Sequence, residues 1–243
     1  MKANLYETER YLHEYLLFHY GRPRDLCPFD FVPDELLHFH ERILKECVLP
    51  FSHASHTRAL DVGCAVGRFT FELSRLADEV IGVDNSKRFV LTARKIASQR
   101  AIKAHVHESG AEITTCRLQL PKGVRPAKIQ FEVRDAQKLG PIDQEPFDIV
   151  AAINLICRLP RPLDFLRQLP RLVVLGGQLL IASPLSWLRD YTPPRNWITP
   201  EDLQRVLRPH FQLIRRRDLP FVIREHRRKY QLVVSEVLTF KRC

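Results

Sequence analysis

Four side chains stand where they could hold a nucleoside. Asp61 closes the apolar pair Ala59-Leu60 and opens the turn Asp61-Val62-Gly63-Cys64-Ala65-Val66-Gly67-Arg68; Asp84, with Asn85 beside it, ends a second apolar run. Asp135-Ala136 follows Ile129-Gln130-Phe131-Glu132-Val133, and Asn154 follows the run from Phe147 to Ile153. Asp84 lies ~20 residues beyond the glycine turn, where an acid accepts hydrogen bonds from two ribose hydroxyls. A dinucleotide site wants G-x-G-x-x-G, so that its pyrophosphate rests on a helix N-terminus. Here an acid precedes the first glycine and Ala65 takes the middle glycine position. Such an acid repels a diphosphate but attracts a cationic amino-acid tail.

These residues need a βαβ unit to position them. The strand ending at Asp61 reads as apolar without alternation, as a strand buried on both faces does, and Gly63 and Gly67 let the backbone pass close to a ligand. A helix from Gly67 buries Phe69, Leu73 and Leu76, and one behind Asp84 buries Phe89, Val90, Ala93, Ile96 and Ala97. Residues 102–128 admit a short hairpin over Ile113 to Leu120, with Pro121-Lys122-Gly123 as a turn. Helical spacing over 162–174 is interrupted by Pro170, which predicts a kink or an early end. Gly176-Gly177 turns the chain into a strand from Gln178 to Ser183, and Thr199-Pro200-Glu201-Asp202 reads as a capped helix start. Phe211 to Arg217 and Gln231 to Phe240 read as a closing antiparallel pair.

The turn resembles motif I of class I S-adenosylmethionine (SAM) methyltransferases, D/E-x-G-x-x-x-G, which holds the methionyl part of that cofactor. The resemblance implies an α/β, Rossmann-like fold with a seven-stranded, mostly parallel sheet and a closing antiparallel strand. It also implies SAM as methyl donor, S-adenosylhomocysteine as product and no metal. The cofactor-binding set would be Asp61, Gly63, Cys64, Ala65, Gly67, Arg68, Asp84, Asn85, Asp135, Ala136 and Asn154, with Asp135 on the adenine amino group and Ala136 offering a backbone N–H to the ring.

Residues 3–20 show helical spacing through Leu5, Leu12, Leu16 and His19, stopped by Gly21 and Pro23. The far end of this helix carries Tyr11, Tyr15, Phe18 and Tyr20, and either covers a ligand or packs on the sheet edge. A second helix spans roughly 34–48. The expected division is therefore 1–50, an N-terminal helical extension or lid, and 51–243, the methyltransferase domain. His38, His40, His53 and His56 have pairwise spacings that could meet a metal, but no third ligand follows, so they are expected to be solvated. Six cysteines without C-x-x-C pairing read as reduced thiols. No run reaches the ~20 apolar residues of a membrane span and the start has no apolar signal core, so a soluble, cytoplasmic protein is expected. The net charge of +10 is local: between Arg205 and Lys229 nine Arg or Lys face two acids. That stretch is a solvated strand face, or a site for RNA or for a carboxylate-bearing ligand.

Along nearly its whole length the chain further resembles the 4-mercaptohistidine N1-methyltransferase family, the methyltransferase part of ovothiol synthase. The matching segments are Tyr6-Glu7-Thr8 with Glu14 to Gly21, the glycine turn, Ala152 to Pro160, Ser183-Pro184 with Trp187-Leu188, and Pro220 to Gln231. The resemblance implies methyl transfer from SAM to the side-chain-proximal ring nitrogen of 4-mercaptohistidine (5-thiohistidine), giving ovothiol A. In bifunctional relatives an iron-dependent sulfoxide synthase precedes this domain; nothing here corresponds to it, so a separate sulfoxide synthase is the expected pathway partner. An amino-acid substrate asks for an Arg and an acid. Arg158, Arg224 and Glu225 suit those roles, Trp187, Tyr15, Tyr20 and Tyr230 could box the ring, and His226 could take a proton. Asn154, Glu225, His226 and Tyr230 are the catalytic candidates. Methylation of RNA or of another small imidazole or amino acid stays open, as does a non-catalytic SAM-fold subunit. The turn after Asn154 is not the N/D-P-P-Y/F of amino-group nucleic-acid methylases, which argues against a nucleobase.

Overall fold

The computed structural model describes residues 5–50, 56–140, 142 and 145–243. Strands β1 (Arg58–Val62), β2 (Glu79–Asp84), β5 (Ile129–Val133), β6 (Phe147–Ile153) and β7 (Val173–Ser183) pair in parallel, in the order β5-β2-β1-β6-β7. The last two strands, β8 (Phe211–His226) and β9 (Lys229–Arg242), extend that sheet, with β9 antiparallel to both β7 and β8. Seven strands with one reversed near the edge make the class I methyltransferase sheet that the glycine turn implied. All five residues of β1 are buried, because helices cover both faces of a parallel sheet.

The helices are α1 (Glu9–Tyr20), α2 (Pro23–Leu26), α3 (Phe39–Cys47), α4 (Arg68–Leu73), α5 (Lys87–Gln99), α6 (Pro162–Leu166) and α7 (Pro200–Leu207). Thr8 and Ser86 cap α1 and α5 through their hydroxyls, and Thr199 with Asp202 forms the expected capping box on α7. Helix α6 ends before Pro170, which sits in a 3₁₀ turn over Leu169–Arg171. Helix α4 stops at Leu73, so Leu76 lies beyond it and is only partly buried.

Three expectations are corrected. The hairpin placed at 113–120 is longer: β3 (Ala101–Ser109) and β4 (Glu112–Gln119) form their own two-stranded sheet, turning at Gly110. Gly176-Gly177 lies inside β7, where the pairing with β6 slips register, rather than before it. The closing pair continues beyond Arg217 through Arg224, with register shifts at Leu213/Arg215 and Arg224/His226, and turns at Arg227-Arg228, so 218–226 belongs to β8 and 229–230 to β9. The apolar positions Leu219, Phe221 and Val222 are buried there and carry the ladder on.

The N-terminal helices share the core of the sheet. Helix α1 lies against β8 and the β3–β4 hairpin, and Phe18, Phe39 and Phe221 meet at 4.4–6.0 Å between ring centroids. The Gln178 side chain binds Leu49 N–H at 2.9 Å and accepts the chain just beyond α3. Among the described residues no helix is long and apolar enough to cross a membrane, and all six cysteines are free.

Candidate active site

A cavity of about 740 Å³ opens at the carboxyl ends of β1, β2, β5 and β6 and runs beneath α1. Open α/β sheets place ligands there because several strand ends diverge at one crevice. Its lining divides into two halves.

The first half is built by the glycine turn. Gly63 and Cys64 donate backbone hydrogen bonds to Val83 O at 2.8 and 3.0 Å, tying the turn to the end of β2. Gly63 and Gly67 have φ of 79° and 90°, and a Cβ on Gly67 would come within 2.7 Å of the Phe131 ring. Any larger residue there meets both backbone strain and a clash. Asp84 accepts from Ala65 N–H through Oδ2 and from Ser86 N–H through Oδ1, each at 2.9 Å. Its carboxylate is thereby fixed toward the cavity, and burial raises its pKa. Asp61 is 1% exposed; Oδ2 accepts the Thr70 hydroxyl at 2.7 Å while Oδ1 has no partner among the described residues. Burial, reinforced by the nearby charge of Asp84, raises the Asp61 carboxyl to about 7. An unpartnered buried carboxylate oxygen costs about 1–3 kcal/mol, which a cation seated in the cavity would recover. Asn85, Asp135 and Ala136 line the same half, and Asp135 also caps a short turn by accepting from Gln137 N–H.

The second half is aromatic. Tyr6, Tyr15, His19 and His40 make a continuous wall, with successive ring centroids 5.8, 5.8 and 4.3 Å apart. Phe18, Phe221, Ile223 and Val233 continue it from α1, β8 and β9. Asn154 stands between the halves in a left-handed conformation, φ 55°, held by Ser235 Oγ–H donating to its Oδ1 at 2.6 Å. Arg158 donates to Ser186 O at 2.6 Å and lies 5.9 Å from the centre of the Tyr191 ring.

The structure thus brings Tyr15, Asp61, Gly63, Cys64, Ala65, Asp84, Asn85, Asp135, Ala136, Asn154 and Arg158 to one cavity. Gly67 shapes the turn from behind. The other candidates lie outside the lining. Tyr20 is buried and donates to Val66 O at 2.7 Å, pinning α1 to the glycine turn. Arg68 binds Glu72 and His19 O. Trp187 packs on the core beside the cavity mouth. Arg224, 5% exposed, is bound to Glu108 at 2.6 Å and to Asp25 O at 2.8 Å, holding the β3–β4 hairpin and α2 to β8. Glu225 pairs with Lys229 and with Gln231 Nε2, and His226 Nδ1 accepts from Arg228 N–H in the β8–β9 turn. Tyr230 donates to Arg227 O at 2.7 Å.

Spacing alone did not single out His19 or His40 as site residues. His38 and His56 are exposed as expected, and His53 lies outside the described residues. His40 is corrected: it is 6% exposed, packed on Phe18 and Phe39. The signal was present, since His40, Leu44 and Cys47 share the i, i+4, i+7 stripe that buries α3.

Residues 60–181 match the family described as a methyltransferase domain. A ubiquinone biosynthesis O-methyltransferase of a Caulobacter species is 29% identical over 126 residues, 52% of this chain and 40% of that enzyme. An ajmaline N-methyltransferase of Rauvolfia serpentina is 25% identical over 150 residues, 61% of this chain and 42% of that enzyme. These matched stretches span less than half the length of either relative. The N-methyltransferase NodS of Bradyrhizobium japonicum, solved with S-adenosylhomocysteine, superposes with a TM-score of 0.58 over 95% of this chain and 98% of its own, at 14% identity, which is likeness of fold.

Proposed function

We propose, for a chain that belongs to the methyltransferase domain family, that it is a SAM-dependent N-methyltransferase whose acceptor is the imidazole ring of a small amino acid, 4-mercaptohistidine. The observation that carries the SAM reading is Asp61: a buried carboxylate with one oxygen unpartnered, facing the cavity beside the glycine turn. Oδ1 would take the ammonium of the methionyl tail, Asp84 the ribose hydroxyls, and Asp135 with Ala136 the adenine edge. Gly63 and Gly67 leave the backbone room for that approach. The bound sulfonium supplies an electrophilic methyl carbon.

A neutral imidazole nitrogen already carries the lone pair that such a carbon needs, so the protein's work is orientation more than acid catalysis. The aromatic wall suits a flat ring, and Arg158, which lines the cavity near Tyr191, would take the substrate carboxylate. Asp190 lines the same end and would face the ammonium, whereas Glu225 lies outside the lining. In this reading Tyr6, Tyr15, Phe18, His19 and His40 give the N-terminal region one wall of the acceptor chamber. The segments Glu14 to Gly21 and Ala152 to Pro160, which carry the family resemblance, supply Tyr15, Phe18, His19, Asn154 and Arg158 to the lining. The products would be ovothiol A and S-adenosylhomocysteine, with a sulfoxide synthase providing the substrate.

Incubation with SAM and 5-thiohistidine, with histidine in parallel, and mass analysis of the products tests the assignment. A mass gain of one methyl on thiohistidine alone is the expected result. Methylated histidine beside untouched thiohistidine would overturn the acceptor while keeping the reaction class.

A further inference from the structure

His19 and His40 are two buried imidazoles with no part in holding SAM, and both line the acceptor half of the cavity. Their rings lie 4.3 Å apart, on a base of Phe18 and Phe39. Arg68 N–H donates to His19 Nδ1 at 3.3 Å, so Nδ1 is the unprotonated nitrogen and Nε2 carries the ring's proton. The ring nitrogens of His40 have no hydrogen-bond partner among the described residues. Among the described residues the buried side-chain atoms without a partner are Asp61 Oδ1 and Arg224 Nε, and His40 instead lines the cavity, where a ligand can use its lone pair. We infer that His40, held by His19, is the hydrogen-bond acceptor that takes the ring N–H of a neutral azole substrate and so decides which of its two nitrogens is left to receive the methyl group.

The chemistry follows from the ring. A neutral azole has one N–H and one lone-pair nitrogen, and the two exchange by tautomerisation. A fixed acceptor on one side selects the tautomer whose free lone pair lies on the other. That lone pair forms the N–CH3 bond as the sulfonium S–CH3 bond breaks, leaving neutral S-adenosylhomocysteine and a methylated azolium whose N–H proton passes to solvent on release. Both histidines must stay neutral for this. Burial, with the Arg68 charge adding to it, lowers His19 to about 3, and burial with His19 and Arg68 holds His40 well below its ordinary value. Neutral rings in an apolar chamber also disfavour a cationic acceptor, since a charged ring would enter without a counter-ion at this end. The inference rests on the acceptor class proposed above and adds ring-nitrogen choice to it.

Imidazole itself is the probe, titrated into the full chain saturated with S-adenosylhomocysteine and carrying isotope-labelled histidine rings. We expect saturable shifts of the His40 ring nitrogens. His40→Leu should weaken imidazole about tenfold, the loss of one hydrogen bond and its geometry, with S-adenosylhomocysteine affinity within about twofold of wild type as the check on folding. His40→Gln, which keeps an acceptor oxygen, should recover most of that loss. With 5-thiohistidine as substrate, the wild type should yield one ring isomer and His40→Leu a mixture. Unmoved His40 resonances, or equal imidazole affinity in wild type, His40→Gln and His40→Leu, would overturn the inference. Imidazole binding at His40 without methylation of thiohistidine would instead sink the proposed substrate and leave the role of His40 standing.

Discussion

The two halves of the cavity are made in opposite ways. The donor half comes from one contiguous stretch plus three strand ends: Asp61 and Asp84 are 23 residues apart in sequence, Asp84 held by the backbone N–H groups of Ala65 and Ser86 and Asp61 by the Thr70 hydroxyl. The acceptor half draws Tyr15 and His19 from α1, His40 from α3, Arg158 from the loop after β6, and Phe221 and Val233 from the closing hairpin. One half is rigid backbone chemistry, the other side-chain packing between distant elements. Mutations should therefore split cleanly, moving SAM affinity in one half and acceptor kinetics in the other.

The sharpest break should come at Asp84. Asp84→Ala removes the anchor of two backbone donors and, on the proposed function, the acceptor of both ribose hydroxyls, and hydrogen bonds to a charged group contribute about 1.5–3 kcal/mol each, so S-adenosylhomocysteine affinity should fall roughly a hundredfold or more. Calorimetric titration measures it. An unchanged affinity would mean that the nucleoside sits elsewhere.

Asp61 should show the next effect, with a pH signature. Its free-state carboxyl titrates at about 7, and only the ionised form pairs with an ammonium. SAM affinity should be flat above about pH 7 and weaken below it, approaching tenfold per pH unit, and Asp61→Asn should be weaker at pH 8 and lose that slope. Stability runs the other way. The folded value is raised above the unfolded one of about 3.9, so this group's contribution is full at low pH and is lost as pH rises through 7. The ligand-free protein should melt lower at pH 8 than at pH 6 through this residue, and Asp61→Asn should abolish that part of the difference.

Arg158 tests the acceptor half. Arg158→Met should raise the thiohistidine KM by roughly tenfold, the loss of a charge-assisted pair, and leave S-adenosylhomocysteine affinity unchanged. A parallel fall in both would show that the halves are coupled through Tyr6 and Tyr15.

The division also explains what could be read from the sequence. The donor half was legible because its spacing is local: Asp61, Gly63, Gly67 and Asp84 are fixed by one βαβ unit whose backbone geometry hardly depends on the rest of the chain. Asp135 and Asn154 followed because a buried strand points its next residue at the same crevice. The acceptor half was legible only in residue type. Aromatic α1 was rightly marked, but spacing does not say which ring faces inward: Tyr15 lines the cavity while Tyr20 turns to Val66. His40 is expected to be solvated if its type alone is read, yet it shares the i, i+4, i+7 stripe of Leu44 and Cys47, and what spacing does not show is that Phe18 and His19 of α1 cover it. The basic segment 205–229 spans the end of α7, strand β8 and the turn into β9; Arg216 and Lys229 pair within the hairpin, while Arg215 and Arg224 reach across to Glu46 O and to Glu108 and Asp25 O.

The smallest effect on catalysis is expected where sequence reading placed most of the acceptor chemistry. Arg224 is a buried strut: its guanidinium spans Glu108 on β3 and Asp25 O on α2, with Nε left unpartnered. Removing one partner of a buried pair costs about 3–5 kcal/mol, so Arg224→Met should lower the melting temperature while kcat/KM per folded molecule changes little. Glu225 differs, because it touches Gln231, which does line the cavity. Its pairs with Lys229 and Arg10 are partly solvated, and such contacts are worth about 0–1 kcal/mol. Glu225→Ala should therefore raise the acceptor KM by about twofold at most, through a loosened Gln231, with kcat and SAM affinity unchanged. A loss of kcat on the scale of Asp84→Ala would place the chemistry back in the β8–β9 turn and dissolve the two-half description.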